Sequence, residues 1–200
     1  MSLELWFEGD ERLAPTRDVE AALAQLSGVR AGDPIVAMTV ERVRSMITTL
    51  ADPADRATRP GHLTGSAFVV SGDGSAAVLL LHTKLERWLQ PGGHADGDCN
   101  LAAVDLREAS EETGIEGLGV HPIAIDVDVH EVRPPTEDPH LHLDVRYLVV
   151  APPAARVVGN EESRAIRWVS RSRLGAYSPD AGLVRLAASA FEVFDAGSGG

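Results

Sequence analysis

The run Arg107-Glu108-Ala109-Ser110-Glu111-Glu112-Thr113-Gly114 constrains this chain more than any other, because it joins a dense charge pattern to an abrupt stop. On an α-helix, at about 100° per residue, Glu108, Glu111 and Glu112 fall within an arc of roughly 100°, and Asp105 lies at its edge. Ala102, Leu106, Ala109 and Thr113 mark the opposite face, small enough for close packing on a sheet. Carboxylates this close repel one another unless a cation sits between them, and Mg²⁺ takes oxygen ligands of this kind. The segment therefore reads as a metal site built on a helix. The plainer reading of the same residues is a solvated face with i,i+4 ion pairs such as Arg107 with Glu111.

Hydrophobic spacing places the other elements around that helix. Val19, Ala22, Leu23 and Leu26 give a short amphipathic helix from Asp18. Asp33-Pro34 reads as an N-cap and first-turn proline, followed by a stripe at Val36, Val40, Val43, Ile47 and Leu50. After a polar connector (51–61), 62–70 and 75–82 read as strands joined by the turn Ser71-Gly72-Asp73-Gly74. The stretch 85–98 reads as a loop rich in Gly and Asp, with the acidic helix starting near Asp98 or Asn100 and Gly114 as its C′ residue. Residues 120–132 read as one strand. In 140–150, His140, His142, Asp144 and Arg146 alternate with Leu141, Leu143, Val145 and Tyr147, so one strand face is polar and the other apolar. A last short strand runs over 164–169. A closing helix begins at Ser178-Pro179-Asp180, and the tail GSGG is expected to be disordered. Strands and helices in this order suit an α/β/α sandwich around a mixed sheet.

Charge narrows the function classes. The net charge of −12 repels nucleic-acid backbones, and no local Lys/Arg cluster offsets it. No run of about 18 apolar residues occurs, so no transmembrane helix is expected. The acidic N-terminus does not read as a secretory signal, and the lone Cys99 suits a reducing cytoplasm. A small phosphorylated substrate fits the negative surface, since a bound metal ion reverses the local field.

Residues Gly93–Ile115 resemble the signature of the Nudix hydrolases, Gly-x5-Glu-x7-Arg-Glu-U-x-Glu-Glu-x-Gly-U, with U a bulky aliphatic residue. Arg107-Glu108, Glu111-Glu112, Gly114 and Ile115 occupy the signature positions; Ala109 replaces the first U and Cys99 the first Glu. The spacing of the glycines makes the metal site the stronger of the two readings. The resemblance implies a Nudix-type α/β/α domain over 61–200, closed by a C-terminal helix, and leaves residues 1–60 as a helical extension. It also implies a hydrolase that uses Mg²⁺, or Mn²⁺ in its place, to split a diphosphate link in a nucleoside diphosphate derivative. Glu111 and Glu112 look like direct metal ligands, Glu108 like a ligand or the base, and the Gly92 carbonyl like a backbone ligand. Arg107 would orient a helix carboxylate. Cys99 stands where the family's Glu braces the Arg and the helix start, a task open to Asp98 or Asp96. The competing reading is a catalytically impaired nucleotide-binding or sensor protein of the same fold.

Several residues outside the signature are candidates for substrate contact. His82 and His94 flank the Gly-rich loop and could touch phosphate. His140, His142 and Asp144 share one strand face and could be metal ligands or substrate-reading groups, with His142 and Asp144 reaching a sugar or base if their strand borders the pocket; the plain alternative is an ordinary polar strand face. Relatives that draw an acid from a late loop point to Glu161 or Glu162. A nucleophilic Cys99 needs an activating cation, for which His94 is the only local candidate, so an inert thiol is expected. His62, His121 and His130 carry no distinguishing context, and Trp88 reads as core. The expected partner is a small nucleotide or other diphosphate, not nucleic acid or membrane. The N-terminal helices either cover the pocket or form a homodimer contact.

Overall fold

Strands Gly61–Val70 and His140–Val150 lie side by side, parallel and in continuous register from Gly61↔Leu141 to Val70↔Val150. Their odd-numbered residues (Leu63, Ala67, Val69, Leu143, Val145, Tyr147, Val149) enter one core. Their late even-numbered residues (Phe68, Val70, Leu148, Val150) enter a second core on the opposite face. The early even-numbered residues, His62, Thr64, Ser66, His140, Asp144 and Arg146, are polar and nevertheless buried. One face of this strand pair is thus apolar throughout, and the other changes from polar to apolar along its length.

The computed structural model describes residues 3–29, 34–160 and 163–199. In chain order the elements are β1 (Trp6–Phe7), α1 (Val19–Leu26), α2 (Pro34–Thr49), β2 (Gly61–Val70), β3 (Ala76–His82), β4 (Trp88–Leu89) and β5 (Gly92–His94). Then come α3 (Leu101–Thr113), β6 (Gly119–Val120), β7 (Asp126–Val132), β8 (His140–Val150), β9 (Ser163–Ser170) and α4 (Ala181–Ser198). The nine strands form a mixed sheet with the path β1-β6-β8-β2-β3-β4; β7 adds to β8, β5 to β2 and β9 to β3. Helices α1, α2 and α3 supply the first core and α4 the second, giving the expected α/β/α layering. Among the described residues no helix is long and apolar enough to cross a membrane.

Local chemistry accounts for the helix ends. Asp18 caps α1 by accepting from the Glu20 amide, and Asp180 caps α4 by accepting from Leu183. Gly114 ends α3 in the left-handed region at φ 64°. Buried Leu23, Leu26, Val36, Val40, Val43 and Ile47 dock α1 and α2 on the same core as α3. At roughly 1.5–3 kcal/mol for each such side chain, this burial far exceeds thermal energy and fixes the N-terminal helices against the domain.

The structure departs from the sequence reading in several places. The expected strand over 120–132 is two, β6 and β7, because Pro122 has no N–H for a ladder and His121 Nδ1 pairs with the Ile123 backbone 3.0 Å away. The loop over 85–98 contains β4 and β5, each held by a longer neighbour. The 62–82 hairpin is registered at Val70↔Ala77, after which β2 turns to β5 and β3 to β4 and β9. Gly197 and Ser198, read as a disordered tail, continue α4, and Leu3 donates to the Gly197 carbonyl at 3.1 Å. Trp6 and Phe7 add a strand to β6 that no pattern announced. The proposed cap Asp33 lies outside the described residues.

Helix α3 approaches the sheet closely because Gly65 on β2 has no side chain: a Cβ there would collide with Asp105 Oδ1 and stand 3.1 Å from Val104 Cγ1. Gly65→Ala is therefore expected to destabilise the protein by about 2–3 kcal/mol, a fall in Tm on the order of 5–10 °C by thermal unfolding. Adding Asp105→Ala should recover most of that loss; an undiminished loss in the double variant would refute the clash.

Candidate active site

The carboxylates of α3 line up along the glycine-rich main chain of β5 and β2. Asp105 is fully buried, accepts from the Tyr147 amide at 3.1 Å through Oδ2, and turns Oδ1 towards Gly65. Glu108 packs against Gly93, where a Cβ would fill the space its carboxylate occupies. Glu112, also buried, accepts from the Gly92 amide at 2.8 Å. Glu111 faces outward, and its main-chain carbonyl accepts from Asn160 at 3.3 Å. Arg107 divides its guanidinium between Glu108 Oε1 (3.1 Å) and the His94 carbonyl (3.0 Å). It thereby ties the helix carboxylate to the loop, with one nitrogen on each partner.

Glu108 and Glu112, beside a main chain stripped to glycine, are hard oxygen donors of the kind Mg²⁺ or Mn²⁺ takes. Glu111 faces outward, and the three carboxylates do not lie within 4.8 Å of one another as a set. The fit rests on the cradle at Gly93, where any side chain would displace Glu108. Glu161 and Glu162 lie outside the described residues.

Burial pushes the Asp105 carboxyl well above the usual range, and the charges of Asp144 and Glu108 push the same way, against the Tyr147 hydrogen bond. Its Oδ1 is one of two buried side-chain polar atoms without a hydrogen-bond partner among the described residues; the other is His62 Nε2.

Cys99 sits 1% exposed in the core, its amide donating to the Thr16 carbonyl at 2.6 Å. Burial raises its thiol above the ordinary value, and Asp52, Asp98 and Asp18 add to the effect. Such a thiol is inert. The start of α3 is held from the N-terminal segment instead. Gln25 on α1 accepts from the Leu101 amide (2.9 Å) and donates to Asn100 (2.8 Å), while Asn100 donates to the Arg12 and Ala14 carbonyls. Asp98 accepts from the Thr16 and Asn100 amides. Asp96, on the same loop, is exposed and has a left-handed backbone at φ 50°.

On the other face, the polar half of the β2–β8 pair divides into an ion network and a histidine cluster. Asp144 accepts from Thr64, Ser66 and, at 2.6 Å, from Arg146. Arg146 also pairs with Asp126 (3.2 Å) and Asp128 (3.0 Å), and Arg185 on α4 joins Asp126 at 2.8 Å. His130 and Arg146 hold Asp128 well below the usual carboxylate range, the His130 hydrogen bond contributing most. Asp144 is thus turned into the protein, with its carboxylate occupied.

His62, His94 and His142 converge beside this network. Burial lowers all three imidazoles: His62 to about 4, with neighbouring His94 adding to the effect, His142 further still, and His94 in the same direction. His82 is elsewhere, its Nδ1 accepting the Lys84 and Leu85 amides of its own turn at 3.2 Å. Trp88 packs on the α4-side core, edge-on to Tyr177. In the sequence His62 had no assigned role and Arg146 only a place on the polar strand face, while Thr64 and Ser66 were not singled out. Their shared even numbering on two strands was the available signal, legible only once the strands are known to be neighbours.

A profile of the NUDIX domain matches residues 62–187. A comparison with curated protein sequences yields no match. Among solved structures the chain is similar to a C. elegans Ap4A hydrolase in a binary complex, with TM-score 0.54 and 18% identity over 68% of this chain and 98% of that one. It is similar also to the E. coli dihydroneopterin triphosphate pyrophosphohydrolase, with TM-score 0.50 and 16% identity over 68% and 94% of the two chains. Identities this low speak for the fold alone.

Asp105→Asn keeps an acceptor for the Tyr147 amide and cannot ionise. A carboxyl raised in the folded state binds its proton more tightly there than in the unfolded chain, so its contribution is full at acid pH and declines as pH rises above the ordinary carboxylate range. The Tm of the variant relative to the parent should therefore rise between about pH 5 and pH 8. A pH-independent difference would show that the Asp105 carboxyl ionises alike in the folded and unfolded chains and is not raised by burial.

Proposed function

Since the chain belongs to the NUDIX family, with the domain spanning residues 62–187, we propose that it is a divalent-metal-dependent hydrolase that opens a diphosphate link in a nucleotide derivative. The observation that carries this reading is the seating of Glu108 and Glu112 against the bare main chain of Gly92 and Gly93. Glu108, Glu111, Glu112 and the Gly92 carbonyl would hold Mg²⁺ or Mn²⁺. When bound, such an ion neutralises the anionic oxygens that repel a nucleophile and acidifies a water.

The protein's own residues have separable tasks in this scheme. Glu112 accepts the Gly92 N–H and so sets the orientation of the glycine peptide beside it. Arg107 restrains Glu108 from one side and the His94 carbonyl from the other. Glu108, held in this way, is either a ligand or the base whose carboxylate takes the proton of the attacking water. The P–O–P bond then breaks to give two phosphorylated products.

His94 and His142, partly exposed on the polar half-face, are suited to contact the substrate. Asp144 would act through Arg146 and Ser66, which its carboxylate engages. Ap4A and dihydroneopterin triphosphate, in the names of the two similar structures, both contain phosphoanhydride linkages and differ in the groups attached to them, so the reading specifies the bond and not the leaving groups.

A panel of nucleoside diphosphate derivatives and dinucleoside polyphosphates, incubated with Mg²⁺ or Mn²⁺, should yield phosphorylated products from at least one compound. Glu112→Gln and Glu108→Gln should each lower that turnover on the order of 100-fold or more without changing the Tm by more than a few degrees. Nucleotide binding without turnover of any compound would overturn the hydrolase reading.

A further inference from the structure

We propose that His62, His94 and His142 form a second metal site, for a divalent transition ion of the zinc class, separate from the carboxylates of α3. The three rings come from β2, β5 and β8, with centroids 5.2 Å apart in each pair. Their ligand nitrogens all lie within 4.8 Å of one another, and among the described residues they are the one such group of three or more His, Cys, Asp or Glu. A tetrahedral zinc site with bonds of about 2.0–2.1 Å sets its nitrogens roughly 3.3 Å apart. The difference is about an ångström of imidazole movement, within reach of small side-chain torsions.

His62 supplies the independent sign of a ligand. It is 1% exposed, and its Nε2 has no hydrogen-bond partner. Nδ1 is directed at the Thr58 carbonyl, 3.5 Å away, which can only accept, so the proton belongs on Nδ1 and the lone pair on Nε2. A buried lone pair without a donor is costly, and packing of neutral rings does not relieve it. An Nδ1–H turned to a main-chain carbonyl is also how metal-ligating histidines are commonly fixed. His140, with its ring 5.0 Å from His62, makes the same kind of bond to the Asp138 carbonyl at 2.8 Å.

The donor set selects the ion. Neutral imidazoles suit Zn²⁺, Co²⁺, Ni²⁺ or Fe²⁺ and disfavour Mg²⁺, which requires oxygen. Three protein nitrogens leave a coordination position for water or a phosphate oxygen. An ion here would pin β5 to β2 and β8, and β5 carries the His94 carbonyl that Arg107 holds.

The full chain, stripped with EDTA and dialysed, should bind one equivalent of Co²⁺ or Zn²⁺ at pH 7.5, the Co²⁺ form showing visible d–d bands, with millimolar Mg²⁺ unable to displace it. His62→Gln and His142→Gln should each weaken this binding on the order of 100-fold, whereas Glu112→Gln should leave it unchanged. Long-range ¹H–¹⁵N spectra of the parent protein provide a check that needs no variant to fold: Zn²⁺ should shift the ring nitrogens of these three histidines. Absence of stoichiometric binding, spectra unmoved at the three rings, or affinity lost with Glu112→Gln and kept in both folded histidine variants would each overturn the proposal. Because the readout is metal binding and not turnover, the hydrolase reading stands or falls separately.

Discussion

The parallel register of β2 with β8 governs what else this molecule can do. A slip of β8 by one residue would exchange the two faces of that strand, putting Leu143 and Val145 where Asp144 and Arg146 belong. With the register fixed, one face is apolar along its whole length and receives α3, while the other is apolar where α4 lies and polar beyond it. The boundary is made by charge. Asp126, Asp128 and Asp144 surround Arg146, and Arg185 of α4 closes the set. Ions buried this deeply are tolerated only when they are paired, and here the three carboxylates share the guanidinium groups of Arg146 and Arg185.

On the opposite face the same strand pair supports a different economy of space. Small residues and glycine let the helix backbone come near enough for carboxylates to reach the main chain of the loop. Asp105 lies too deep to share that outward task, and its neutral form is the one that burial favours. The acid arc is therefore graded along the helix: Asp105 inside, Glu112 and Glu108 at the seam, Glu111 in solvent.

Elements with their own local signals were legible in the sequence. Asp18, Gly114 and Asp180 each end a helix by a side chain or backbone property that acts within one turn, and the alternation from His140 to Tyr147 marks a segment that is strand throughout. Features that depend on tertiary neighbours were not. β4 and β5 are two and three residues long and exist because β3 and β2 lend them a ladder. His62, His94 and His142 are far apart in the chain, and nothing near any one of them announces the other two. The carboxylate arc of α3 was visible, since a helix fixes angles by itself; the depth of Asp105 was not, since it depends on Gly65 across the interface.

At the head of α3, Asp98 accepts the neighbouring Asn100 amide, and the other hydrogen bonds come from afar. Gln25 and the Arg12–Thr16 segment reach residues 98–101 across sequence separations of 75 to 88 residues. Closing so long a loop has an entropic cost that a neighbour in sequence would not incur, and contacts of this kind form late on the way to the native state. The first turn of the acid-bearing helix should thus be among the last parts of the domain to become rigid, and the timing of its assembly belongs to the N-terminal segment.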